Sequence, residues 1–249
     1  MIQTKYHKYI VTAFSLAFLI ILQQFPTDRP LFRFLALTII AYFFILLAYT
    51  RWYLKSIEKF SVWTWLIPTL FYTAAFALYA IIPWYFVKGI FLILTFGLGI
   101  FFLLFLGSFA ENVILNQSLI ISFAVYMALS AYNFYFPSYQ NLYLIGVFTA
   151  SLIVTRAYLD FVPKTPRFKL ATALAISLFM VELYWALMFL PLHYSVSGLL
   201  LFNAYYFFIV LTFYSLFNTL NAKKLAFHLW LLGLTSLAIL IATPWEIIS

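Results

Sequence analysis

The chain has no cysteine, and only 8% of its 249 residues are charged. The first absence excludes disulfides, thiolate metal sites and a cysteine nucleophile, and it leaves the redox compartment open. The second excludes a water-facing domain, because a soluble surface needs roughly a quarter charged residues. The three histidines, His7, His193 and His228, are far apart and show no H-x-x-x-H spacing, so no metal site is expected. There is no G-x-S-x-G, no H-E-x-x-H, no glycine-rich phosphate loop and no mid-span lysine for a Schiff base. No cofactor is expected.

What is present is apolar: 67% of the residues are hydrophobic and 23% aromatic. Runs of about 20 apolar residues recur along the whole chain, the length needed to cross a ~30 Å hydrocarbon core. They do not alternate apolar and polar, which excludes a β-barrel. The pattern predicts an all-α, polytopic transmembrane helical bundle of eight or nine spans. It forms a single integral membrane domain over 1–249, with no soluble domain. The spans fall at about 9–25, 31–50, 62–83, 89–107, 112–136, 142–160, 169–190, 198–220 and 226–243.

Eight of the nine prolines lie at or between these ends, where proline stops a helix or fits its first turn. Thr165-Pro166 reads as an N-cap followed by a first-turn proline. Pro68 is the exception and predicts a packing kink inside the third span. Ser108 and Glu111 have capping-box spacing, which gives that glutamate a structural role. Lys5 and Lys8 precede an apolar run with no small-x-small cleavage site after it, so a retained first helix is expected.

Charge orients the bundle. With the N-terminus cytoplasmic, eleven basic residues face inside (Lys5, Lys8, Arg51, Lys55, Lys59, Arg156, Lys164, Arg167, Lys169, Lys223 and Lys224). Only Arg29, Arg33 and Lys88 face outside. This positive-inside bias explains the net charge of +8 without nucleic acid and places the chain in the cell (cytoplasmic) membrane. Trp52, Trp63, Trp65, Trp84, Trp230 and Trp245 lie near predicted ends, as interfacial anchors do.

Glu182 stands apart as the one acidic side chain well inside a predicted span. A charge at a helix centre costs ~2.5–3.5 kcal/mol on the insertion scale. The span's Leu, Ile, Val and Phe residues together return more than that at ~0.3–0.6 kcal/mol each. Insertion therefore tolerates the carboxyl, but Glu182 must face protein or a wet cavity, or be protonated. Its helical face includes Ala175, Leu178, Trp185, Ala186 and Phe189. The next helix brings Asn203 to similar depth, with Tyr206 one turn further in. One reading is a polar binding site of Glu182, Trp185, Asn203 and Tyr206, capped by His193 and Tyr194. The other is a hydrogen bond from Glu182 to Asn203 or a tyrosine that locks two helices.

His7 and His228, beside lysines, read as headgroup contacts. Arg156 and Asp160, spaced i, i+4, read as an interfacial ion pair. Asp28-Arg29 reads as a turn. Small residues four apart (Thr73/Ala77, Thr95/Gly99, Ala124/Ala128, Gly146/Ala150 and Ala171/Ala175) permit close helix approach.

Three functions fit. The leading one is a non-enzymatic membrane subunit or scaffold that binds lipid or partner helices, the latter from another membrane protein or a second copy. The second is a small carrier or flippase for a lipid-like substrate, with a water-accessible cavity at Glu182. The third is an intramembrane lipid-modifying enzyme, which needs two converging acid/base groups such as Glu182 and His193.

Overall fold

A computed structural model describes residues 62–82, 84–104, 111–160, 165–216 and 219–243, with scattered helical positions between 9 and 20. Most of the first two expected spans, the Asp28-Arg29 turn, the side chains of the Ser108/Glu111 capping box, and Trp52 and Trp245 lie outside the described residues.

Among the described residues from 62 on, seven helices follow one another: α1 (Val62–Ile81), α2 (Tyr85–Leu104), α3 (Glu111–Tyr135), α4 (Gln140–Leu159), α5 (Pro166–Leu187), α6 (Tyr194–Leu216) and α7 (Ala222–Ile241). A single 3-10 turn, Pro137–Tyr139, joins α3 to α4. Helices α3 to α7 are each long and apolar enough to cross a membrane. The chain is a multi-pass membrane protein. Helix α1 runs on through Pro68.

Local chemistry sets the ends. Thr165 caps α5 by accepting from the Phe168 N–H at 3.4 Å, and Pro166 opens the first turn. Asn221 caps α7 by accepting from the Lys224 N–H at 2.8 Å. Both α6 and α7 begin about four residues before the apolar runs suggested: polar first turns, Tyr194–Ser197 after His193 and Ala222–Lys224 after the Asn221 cap, precede the apolar stretches. Helix α5 stops at Leu187, three residues before the expected end, and turns through Met188 and Phe189 ahead of Pro191.

Two compact units divide the chain, residues 1–113 and 114–249. In the first, α1 packs on α2 and Gly99 sits against the ring of Tyr72, whose hydroxyl lies 2.6 Å from where a Cβ would be.

The second unit has a core unusually rich in hydroxyls. Tyr126 of α3 hydrogen-bonds Ser151 of α4 at 2.8 Å, and Thr155 of α4 bonds Tyr205 of α6 at 3.1 Å. The rings of Tyr126 and Tyr205 meet edge to face at 5.7 Å. In lipid no hydrophobic force pulls one apolar helix onto another, so packing and interhelical hydrogen bonds hold the bundle. Small residues allow that packing. A Cβ on Gly198 of α6 would come 3.0 Å from the Met127 backbone, and one on Gly146 of α4 would come 2.9 Å from the tip of Leu129. Ala124, Ala128 and Ala150 are buried in the same core. Ala171 and Ala175 are not; they lie exposed on α5.

Arg156 and Asp160 form the expected i, i+4 ion pair at the end of α4, and Lys169 donates to the Asp160 carbonyl at 3.1 Å.

Candidate functional site

Helix α5 has two faces. Ala173, Ile176, Ser177, Met180, Tyr184 and Leu187 are buried. The face turned away from them exposes Ala171, Ala175, Leu178, Glu182, Trp185 and Phe189 at helical spacing. The carboxyl therefore belongs to an outward stripe that is otherwise apolar. Trp185 is 55% exposed and meets Phe189 edge to face at 5.0 Å. Glu182 lies five residues before the helix end, about 7.5 Å along the axis at ~1.5 Å per residue. That is somewhat shallower than the apolar run implied.

Asn203 and Tyr206 face α7 instead. The Asn203 amide nitrogen donates to Thr235 Oγ1 at 2.7 Å, Ser236 Oγ at 2.8 Å and the Leu232 carbonyl at 3.2 Å. The Tyr206 ring lies 6.2 Å from that of His228. His228 is only 8% exposed and also packs 5.5 Å from Tyr214, so it is a helix-packing residue and not a headgroup contact. Among the described residues no hydrogen bond joins Glu182 to Asn203, Tyr206 or His193. Glu182 and Trp185 stay together on one face, Asn203 and Tyr206 on another.

His193 and Tyr194 go to a third place, where α3 and α5 end and α4 and α6 begin. His193 precedes α6, and its Nδ1 accepts from the Ser195 backbone N–H at 3.4 Å and pairs with the Ser195 hydroxyl at 2.8 Å. It borders a cleft of about 350 Å³, which Ser130, Asn133, Gln140, Tyr184 and Ser197 also line. The Tyr184 hydroxyl is committed to the Leu129 carbonyl at 3.2 Å. The Ser130 hydroxyl and the Asn133 side-chain carbonyl are buried without a partner among the described residues. An unpaired buried polar group costs ~1–3 kcal/mol, so two at one cleft need an explanation. Glu182 is not part of the lining, so the cleft does not pair it with His193.

Ser130 and Asn133 were missed in the sequence. Single polar residues in an apolar run look like tolerated passengers, and only their i, i+3 spacing beneath the Pro137 turn hints at a shared site. No three His, Asp or Glu side chains among the described residues cluster as metal ligands. No protein-family model, curated protein or solved structure matches the chain, so the functional reading rests on these residues alone.

Proposed function

We propose that the chain is a non-enzymatic subunit of the cell membrane that docks a partner transmembrane helix against the Glu182 face of α5. The N-terminus is cytoplasmic and the spans number eight or nine, a reading supported by the eleven-to-three bias of basic residues.

One observation supports docking above all: a carboxyl on an exposed, otherwise apolar face of a membrane-length helix. Such residues face protein or water, because lipid offers a carboxyl no donor. The partner therefore supplies an N–H or O–H group at the depth of Glu182. Ala171 and Ala175 on the same face admit a close backbone below the contact. Trp185 adds a large ring and an indole donor above it.

The test is a photoreactive residue in place of Leu178 in native membranes. A crosslink to a second polypeptide, kept in Glu182→Gln and lost in Glu182→Leu, supports docking. A crosslink confined to the same chain, or to lipid alone, contradicts it.

A further inference from the structure

The cleft at the end of the second unit mixes polar and apolar lining and has no Lys, Arg, Asp or Glu. Ser130 and Asn133 line it one turn apart on α3, and His193 and Ser197 line it from the start of α6. Phe134 and Tyr194 add aromatic wall. Ser130 is only 3% exposed, and its hydroxyl has no partner among the described residues. Neither has the buried carbonyl oxygen of Asn133. His193 Nδ1 is held by Ser195, 3.4 Å from its N–H and 2.8 Å from its hydroxyl, which leaves the other ring nitrogen without a protein partner among the described residues.

We propose that this cleft binds an uncharged polyhydroxyl group: a glycosyl or glyceryl headgroup, or the corresponding free sugar. The lining contains no Lys, Arg, Asp or Glu, so neither a phosphate nor an ammonium group would find its counter-charge. The Asn133 oxygen needs a donor, and the Ser130 hydroxyl can donate or accept, which a ligand rich in hydroxyls satisfies. Leu187 and Met188 give apolar wall for the C–H faces of a ring or the first methylenes of a lipid. A volume of about 350 Å³ is at the small end for ligand sites and suits one sugar ring. Membrane-length helices α3 and α5 end here and α6 begins here, which sets the cleft at headgroup depth. The inference stands apart from the Glu182 face, since Glu182 does not line the cleft.

The test uses the full chain in phosphatidylcholine nanodiscs. Equilibrium binding is measured for radiolabelled monoglucosyl diacylglycerol and, separately, radiolabelled glucose. The expected result is saturable binding, weakened at least tenfold by Asn133→Leu and by Ser130→Ala, and unchanged in Leu234→Ala, an exposed position on α7 away from the cleft. Ser130→Ala removes a single oxygen and serves if Asn133→Leu fails to fold. Binding of the lipid alone identifies a headgroup, and binding of both identifies the sugar itself; each supports the proposal. It is overturned if neither probe binds saturably, if both cleft variants bind like wild type, or if phosphatidic acid, which offers a phosphate without a polyhydroxyl group, competes as well as the glucosyl lipid.

Discussion

The amide nitrogen of Asn203 sits 2.7 Å from the Thr235 hydroxyl and 2.8 Å from that of Ser236, so one side chain on α6 clasps two on α7. This contact matters because α7 is otherwise peripheral. Leu229, Trp230, Leu234, Leu237 and Ile241 are all exposed, and His228 is its one buried residue.

Asn203→Leu removes the clasp. It leaves Thr235 still bonded to the Leu231 carbonyl at 2.7 Å, so little is orphaned. Interhelical hydrogen bonds in membranes average ~0.6 kcal/mol, with model peptides giving ~1–2. A loss of about 1–2 kcal/mol in detergent unfolding is expected, together with faster proteolysis at the α6–α7 connection. An unchanged unfolding midpoint would remove the clasp from the account.

Gly198 and Gly146 make a matched pair. A Cβ at Gly198 meets the Met127 backbone at 3.0 Å, and that backbone cannot step aside. A Cβ at Gly146 meets only the end of Leu129, which can rotate. Gly198→Ala is therefore expected to destabilise by ~1–3 kcal/mol, as overpacking does, and Gly146→Ala by clearly less. Equal effects in the same thermal assay would mean that α3 and α6 are not held this closely.

Asn133→Leu is expected to raise stability while removing a binding group. The carbonyl it deletes is buried and unpaired among the described residues. Replacing such a group with an apolar one of similar size recovers on the order of 1 kcal/mol. Binding sites commonly hold such locally unfavourable groups. A lower midpoint for the variant would show that Asn133 holds the end of α3 together instead.

The existence of the seven described helices was legible in the sequence, and the reason is physical. A run of about 20 apolar residues can only be satisfied in lipid as a helix. Thr165-Pro166 marked the start of α5, and Arg156 with Asp160 marked the end of α4. Which way each helix faces was not legible. Helices in lipid are apolar all round, so the contrast that reveals the inner face of a soluble helix is missing. That is why Asn203 could be placed at the depth of Glu182 yet belong to a contact with α7. It is also why His228, one turn after Lys223 and Lys224, looked superficial although it packs against Tyr206 and Tyr214. The cleft depends on where four helix ends meet, which no single segment records.

The central claim is that the Glu182 face of α5 is covered by a partner helix. The most direct measurement is the crosslink from a photoreactive residue at position 178, in native membranes, in the wild type, Glu182→Gln and Glu182→Leu. The account predicts an adduct with a second polypeptide in the first two and its loss, by about tenfold or more, in the third. Crosslinks to lipid alone in all three would leave the carboxyl facing the bilayer and contradict the account.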